Sequence, residues 1–153
     1  MKNELKDNGF TLIELLLVIT ILGILAAIAI PKLFPQSEKA RVAEAVGILS
    51  AIRQGEEAYY LAHGNYIAAN TSSDPQWDPL GMVNPNLNSR YFDYLVLNIP
   101  NDQTFKAYAF RTKNISTSDP IFNSGIQLDN TGKWCGNHPS VPANPDGSTC
   151  PIS

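Results

Sequence analysis

One acidic residue, Glu14, lies near the start of an apolar run that extends over residues 10–31. A charged group at the middle of a membrane-spanning helix costs about 2.5–3.5 kcal/mol on insertion scales, and it costs less near the end of the helix. A carboxylate in this place either lies at the level of the lipid headgroups or pairs with a cation. At ~4 Å and an effective dielectric constant near 20, such an ion pair gains about 4 kcal/mol, which offsets the cost of burial.

The two cysteines of the chain, Cys135 and Cys150, enclose a segment of mainly polar, proline and small residues. Such a segment cannot hold its shape by core packing, and an even number of cysteines in an exported domain indicates a disulfide. A crosslink of this length contributes roughly 3 kcal/mol to stability. The alternative is a metal site that includes His138, but three ligands without zinc-type spacing argue against it. We therefore predict a disulfide and no metal site.

The other acidic side chains that could act in catalysis or bind a metal have simpler structural explanations. Glu56 and Glu57 are adjacent, and adjacent side chains diverge on a helix, so both are predicted to lie on a solvated face. Asp129 and Asp146 offer oxygen ligands for calcium, but no EF-hand spacing supports such a site. The sequence contains no P-loop, nucleophile elbow or glycine-rich dinucleotide motif. We expect the protein to be no enzyme and to use no cofactor.

The composition narrows the possible classes of function. The chain has 153 residues, of which 44% are apolar and only 16% are charged, and its net charge is −3. A typical domain has ~25% charged residues. In this chain no charged residue occurs between Leu15 and Pro31. Net acidity argues against a nucleic-acid partner, which normally requires clustered lysines and arginines. The length suits one modest domain.

The apolar run is long enough to cross a membrane. As a helix, the 21 residues from Phe10 to Ile30 would span roughly 31 Å, close to the ~30 Å of a bilayer's hydrocarbon core. A buried helix of a soluble core is one alternative, but such helices normally keep a polar face. A secretory signal peptide cleaved after Ala29 is another, although the length of the run and the acid within it argue against this. The run is therefore interpreted as a membrane-inserted helix.

Residues 32–63 predict an amphipathic helix, because apolar residues recur there at steps of three and four. Ser37 is its predicted N-cap, and Gly64 is the predicted residue that ends it. The apolar stripe must cover another element of the fold, and its members are Val42, Ala45, Val46, Leu49, Ile52, Tyr59 and Ala62.

Two prolines, Pro31 and Pro35, separate the apolar run from this amphipathic helix. Each removes a backbone hydrogen bond and clashes with the preceding turn, so a bend or a break is expected there. Gly23 and Pro31 bracket a segment of weakened helix, which is either simply bent or locally unwound.

The last ninety residues predict a connection followed by short strands. Residues 64–90 are rich in Pro, Asn, Asp and Ser, and we predict an irregular connection there. Residues typical of strands occur at 91–97, 105–111, 126–128 and 133–135, joined by tight turns. An antiparallel sheet needs a partner for its apolar face, and the helix stripe supplies one. We predict an α+β fold in which a long helix, membrane-spanning in its first half and amphipathic in its second, packs on a small antiparallel β-sheet.

Residues 9–14, Gly-Phe-Thr-Leu-Ile-Glu, together with the apolar run and Pro31, closely resemble the N-terminus of type IV pilins and of type II secretion pseudopilins. The resemblance is close over about residues 6–31, and beyond them only the architecture is similar. It implies that a prepilin peptidase cleaves between Gly9 and Phe10 and methylates the new amino group of Phe10.

The resemblance also implies a role for Glu14 and a division of the chain. Cleavage would free the amine of Phe10, which is the cation that the carboxylate needs, within one chain or, as the resemblance favours, between neighbouring subunits. Residues 1–9 would be a leader that is removed, and residues 10–31 a transmembrane and filament-core helix. Residues 32–153 would form a periplasmic or extracellular head domain.

The function that follows is a structural subunit of a type IV pilus, polymerised into a homo-oligomeric helical filament. Before assembly the chain would cross the inner membrane once, with a cytoplasmic N-terminus, and afterwards it would lie at the cell surface. The implied partners are the prepilin peptidase and the pilus assembly platform, with no nucleic acid. The alternatives are a pseudopilin of a type II secretion or DNA-uptake system and, if cleavage follows Ala29, a secreted soluble binding domain.

Overall fold

The computed structural model describes residues 10–69, 75–99 and 103–152. The chain divides into two compact units, Met1–Glu38 and Lys39–Ser153. The described part of the first unit is helical apart from its first two residues, and the second unit contains both helix and sheet.

The longest element is helix α1, which runs from Leu12 to His63 and has 52 residues. It continues through Pro31 and Pro35, and Ser37 lies within it, so the predicted break and the predicted N-cap at Ser37 are wrong. The physical reason is that a proline removes only its own N–H donor, and the donors on either side keep the helix hydrogen-bonded. A bend at the prolines stays a prediction.

Helix α1 ends where the sequence predicts. Gly64 has a φ of +75°, and its N–H donates to the carbonyl of Tyr60 at 2.8 Å. This left-handed residue after the last helical turn is the C-terminal stop that glycine provides without a steric penalty. The prediction for Gly64 is confirmed.

The connection after α1 is more regular than predicted. It contains a 3₁₀ helix at Pro75–Leu80 and a short helix α2 at Pro85–Asn88. Trp77 of the 3₁₀ helix is buried, and Gly55 of α1 lets that segment approach, because a Cβ at Gly55 would lie 2.6 Å from the carbonyl oxygen of Leu80. The prediction of an irregular connection throughout residues 64–90 is therefore wrong for these two helices.

Four antiparallel strands form one sheet in the order β1-β2-β3-β4. They are β1 (Phe92–Ile99), β2 (Thr104–Arg111), β3 (Gly125–Asp129) and β4 (Trp134–Gly136). All four overlap the predicted strands. The turn between β3 and β4 closes with a hydrogen bond from the N–H of Gly132 to the carbonyl of Asp129 at 3.0 Å.

The core of the second unit joins α1 to the sheet. Most of the predicted helix stripe takes part: Val42, Ala45, Leu49 and Ile52 are buried, Val46 and Tyr59 are half-buried, and Ala62 is exposed. Strand residues complete the cluster: Phe92, Tyr94, Val96, Phe105, Ala107, Ala109, Ile126 and Leu128. The predicted α+β architecture of a long helix and a small antiparallel sheet is confirmed.

Candidate functional site

The most unusual surface of the molecule is the first part of α1. The segment Leu12–Ile30 is long and apolar enough to cross a membrane, judged by length and composition, and none of it is buried within the chain. Its large hydrophobic side chains are between 43% and 88% exposed. A helix that is apolar on all sides must be covered by lipid or by other helices.

The start of this segment is held by Thr11 and Glu14. Thr11 immediately precedes the helix, and Glu14 is its third residue. The Glu14 Oε2 atom accepts hydrogen bonds from the Thr11 N–H at 2.9 Å and from the Thr11 Oγ1–H at 2.8 Å. The Glu14 N–H donates to Thr11 Oγ1 at 3.3 Å. This reciprocal arrangement is a capping box, and it satisfies backbone donors that a helix N-terminus leaves without partners.

The capping box leaves part of the carboxylate available. Both bonds that Glu14 accepts end on Oε2, and within the described residues Oε1 accepts none. The side chain is exposed, and an acid in the first helical turn is favoured by the helix dipole. Glu14 therefore combines local capping with an outward negative charge.

The remaining polar group of this segment is satisfied within the helix. The hydroxyl of Thr20 donates to the carbonyl of Leu16 at 2.7 Å, so it does not present a free donor to an apolar surrounding. Gly23 lies in the same helix, and a Cβ placed there would meet no atom within 4 Å apart from its own stretch of helix. Local unwinding at Gly23 stays a prediction.

The other predicted processing residues are only partly described. Gly9 lies outside the described residues, and Phe10 directly precedes the capping box with 82% of its surface exposed. Cleavage between Gly9 and Phe10, methylation of Phe10 and ion pairing by Glu14 therefore stay predictions.

The two cysteines form the predicted disulfide, Cys135–Cys150, with their Cα atoms 4.8 Å apart. Cys135 is the central residue of β4, and the Gly136 N–H beside it donates to the carbonyl of Cys150 at 2.9 Å. The bridge thus fixes the end of the C-terminal loop against the last strand of the sheet.

The side chains considered as metal ligands accept hydrogen bonds from backbone N–H groups in turns. Asp129 Oδ1 accepts from the N–H groups of Thr131 and Lys133, both at 2.9 Å, and Asp146 Oδ1 accepts from the Ser148 N–H at 2.9 Å. His138 Nδ1 accepts from the Ser140 N–H at 3.1 Å. Across the described ranges, no group of three or more His, Cys, Asp or Glu is placed to hold a metal ion.

Glu56 is not on a solvated face, and that prediction is wrong. Its side chain is fully buried, because residues 64–69 fold back over the end of α1 and the Ile67 N–H donates to Glu56 Oε2 at 3.1 Å. Burial raises the pKa of Glu56 to about 7, against the lowering effect of the Ile67 hydrogen bond, and the nearby charge of Glu57 raises it further. The neighbouring Glu57 is half-buried.

Two asparagines with structural roles were missed by the sequence analysis. The side-chain amide of Asn86 bonds both the N–H and the carbonyl of Tyr94, at 2.6 and 2.9 Å. The amide of Asn144 does the same for Trp134, at 2.7 and 2.8 Å. Neither an asparagine in a short helix, such as Asn86, nor one in a loop, such as Asn144, carries a sequence signal of such a role. The capping box, by contrast, is detectable from the pattern Thr-x-x-Glu.

Comparisons with known proteins agree with the geometry of the first segment. Residues 5–30 match the family model described as "Prokaryotic N-terminal methylation motif". A "Fimbrial protein" of Neisseria meningitidis is 45% identical over 67 residues, which are 44% of this chain and 39% of the relative. A "Type IV major pilin protein PilE1" of Neisseria gonorrhoeae is also 45% identical over 67 residues, covering 44% of this chain and 41% of the relative.

A "Fimbrial protein" of Pseudomonas aeruginosa is 41% identical over 72 residues, which are 47% of each chain. The aligned part of the chain thus spans less than half the length of these relatives. The resemblance to the type IV pilin family, predicted from residues 9–14 and the apolar run after them, is thereby confirmed.

Proposed function

We propose that this protein is a structural subunit of a type IV pilus. The observation that carries the proposal is the exposed apolar segment Leu12–Ile30, none of which is buried within the chain. It begins at the Thr11–Glu14 capping box and lies within the methylation-motif match. Removing this surface from water is favourable by about 25 cal/mol per Å². Lipid covers it in the monomer, and identical helices cover it in the filament.

The leader is removed between Gly9 and Phe10, and the amino group of Phe10 is methylated. The chain is held in the inner membrane by residues 10–31, with its N-terminus in the cytoplasm, and residues 32–153 form the head outside. Exchanging lipid for other helices gains little, because lipid tails are as apolar as leucine. Assembly therefore needs the pilus assembly platform as a partner.

Glu14 sets the register of neighbouring subunits. Its Oε2 is engaged by Thr11, and Oε1 remains for the ammonium group that cleavage creates on Phe10 of a neighbour. In the apolar interior of a filament such a pair gains about 4 kcal/mol at ~4 Å, and an unpaired Glu14 would be costly there. The disulfide-closed loop and the sheet face outward, and no cofactor or nucleic acid takes part.

The processing step is tested by the intact mass of the mature protein, with and without the peptidase. The expected chain begins at N-methylated Phe10 and shifts to the unprocessed length when the peptidase is absent. A mature chain that begins at Ile30 would instead identify a secreted soluble domain, and it would contradict the proposal.

The role of Glu14 is tested with three variants. Glu14→Gln retains the side-chain acceptor that the capping box needs but loses the charge. Leader cleavage should be normal, and filament yield should fall about tenfold or more, since each 1.4 kcal/mol of lost pairing is a factor of ten. Glu14→Asp keeps the charge on a shorter stem and should retain part of the yield. Normal filaments from Glu14→Val cells would remove this role.

Electron microscopy of sheared surface fractions distinguishes the pilus from the pseudopilus. Long fibres labelled by an antibody to the head support a pilus. A processed, membrane-dependent protein that never forms surface fibres would instead indicate a pseudopilin of a secretion or DNA-uptake system.

A further inference from the structure

Both edges of the four-stranded sheet are covered by contacts, from helix α2 and a loop on one side and from a loop on the other. Strand edges normally present unpaired N–H and carbonyl groups, and a second chain can add a strand to them. Strand β1 forms one edge and strand β4 the other. Several outward groups of each edge strand find partners within the same head.

On β1 the closure extends over five residues. The Phe92 N–H donates to Ser89 Oγ at 3.2 Å, and the Asn86 amide takes both outward groups of Tyr94. Val96 exchanges two backbone bonds with Ala69, at 2.8 and 3.1 Å. Alternate residues from Phe92 to Val96 therefore have satisfied outward N–H groups.

On β4 a second asparagine acts in the same way. The Asn144 amide takes both outward groups of Trp134 and also donates to the Ser148 carbonyl at 2.8 Å. The next outward N–H, that of Gly136, donates to the Cys150 carbonyl at 2.9 Å. The disulfide loop therefore lies along this edge.

Strand β1 is the edge that most needs closure. Its sequence, Phe-Asp-Tyr-Leu-Val-Leu-Asn-Ile, has high β-propensity, one charged residue, and neither proline nor glycine. Short segments of this composition pair readily with copies of themselves. Strand β4 has only three residues, and a short edge is a weaker template.

We propose that Asn86 and Asn144 close the two sheet edges against strand addition from neighbouring copies of this chain. This inference rests on the proposed function, because subunits held together by α1 meet at high local concentration. Each side-chain amide imitates the paired N–H and carbonyl of one strand residue. A neighbouring strand must therefore displace the asparagine before it can bind. Head domains then meet through side chains, and polymer contacts are left to α1.

The position of Asn86 is itself fixed by contacts with Lys113 and Asn84. Its carbonyl accepts a hydrogen bond from Lys113 Nζ at 3.1 Å, and Lys113 also forms an ion pair with Asp93 of β1 at 2.8 Å. Its N–H donates to the side chain of Asn84, the N-cap of α2. These contacts hold the amide opposite Tyr94 without help from a partner.

The test is the concentration dependence of association of the full chain in detergent micelles, measured by sedimentation and by the infrared band of intermolecular β-sheet. Asn86→Ala should associate through β-structure at a concentration about tenfold lower than the wild type, since its two amide bonds no longer have to be broken. Asn144→Ala should show a smaller shift. Asn88→Ala and Thr149→Ala change exposed neighbours of the two caps and should behave like the wild type.

Asn86→Asp separates edge closure from simple loss of stability. It keeps an acceptor for the Tyr94 N–H but faces the Tyr94 carbonyl with a charge, so it loses one of the two bonds that Asn86→Ala loses. The carboxylate still repels an incoming strand, and this variant should stay monodisperse. Association of the Asp variant equal to that of the Ala variant, or no association of a folded Ala variant, would overturn the inference. The assay uses isolated monomers, so its outcome is independent of whether cells form pili.

Discussion

Helix α1 contacts two different environments along its length. Between Leu12 and Ile30 its large hydrophobic side chains are exposed on all sides. Between Val42 and Glu56 one face is completely buried, and the exposed face carries small residues such as Gly47 and Ala51. The backbone is the same helix, so side-chain pattern alone decides which part is covered by its own chain.

The two regions are therefore stabilised by different partners. The second region belongs to a core that the chain supplies itself, with strands β1–β3 on the other side. The first region can only be covered from outside. Changes in one region should therefore leave the stability of the other nearly unchanged.

The largest expected effect comes from the same substitution made once in each region. Leu49→Ala removes a fully buried side chain and should lower the free energy of unfolding of the head by about 3 kcal/mol. Leu22→Ala changes a side chain that is 57% exposed and should leave that value within about 0.5 kcal/mol. Urea unfolding in detergent, followed by tryptophan fluorescence from the buried Trp77 and the half-buried Trp134, measures both.

When membrane binding is measured instead of head stability, Leu22→Ala should have the larger effect of the two substitutions. Leu22→Ala should weaken binding to lipid vesicles, because apolar area is lost from the inserted helix, and Leu49→Ala should not. Equal destabilisation of the head by both variants would show that the two regions fold as one.

A second prediction concerns pH and only the buried region. The carboxyl of Glu56 titrates near 4.5 when unfolded, and burial raises its pKa to about 7 in the fold. The folded state holds this proton more tightly, so the stability it contributes is full below pH 4.5 and is lost as pH rises to 7. The free energy of unfolding should fall by roughly 2–3 kcal/mol across this window.

The matched variants are Glu56→Gln and Glu57→Gln. The first should flatten the pH profile, because a neutral amide still accepts the bond from Ile67 and carries no charge. The second changes a half-buried neighbour and should leave most of the slope. A wild-type profile that is flat between pH 4.5 and 7 would contradict the assignment to Glu56.

The smallest predicted effect concerns the start of the exposed region. Thr11→Val removes the side chain that makes two of the three capping-box bonds, which costs about 1 kcal/mol. Amide exchange in the first turn should become about fivefold faster, while the unfolding midpoint of the head stays unchanged. Thr11→Ser should restore the slow exchange, and a lowered head midpoint would contradict the separation of the two regions.

Much of the fold is predictable from local pattern, and the exceptions have physical causes. The four strands and the stop at Gly64 follow from strand-forming residues and from glycine's freedom at positive φ. Burial of Glu56 is not predictable in this way, because it depends on a backbone N–H eleven residues later in a loop. The two 3₁₀ and α segments of the connection depend on tertiary packing, as the close approach of Leu80 to Gly55 shows.

The candidate site divides in the same way. Glu14 and the apolar run can be recognised from a short stretch of consecutive residues. A chain with two cysteines allows only one disulfide within itself. Asn86 and Asn144 act on strand residues eight and ten positions away, so only the folded structure reveals what they do. The sequence predicts that the Glu14 carboxylate pairs with a cation. Its additional role in capping the helix follows from the side-chain geometry.

The uniform surface of the Leu12–Ile30 segment has a mechanical consequence. The Thr20 hydroxyl is hydrogen-bonded within the helix, and the residues from Leu15 to Ile30 form no polar face. Rotation of this helical segment about its long axis therefore changes its solvation very little. In the proposed membrane-bound state, the bilayer would fix the depth of this segment but not its rotation about the helix axis. In the proposed filament, the groups at the two ends of this segment would therefore set the angle at which one subunit faces the next.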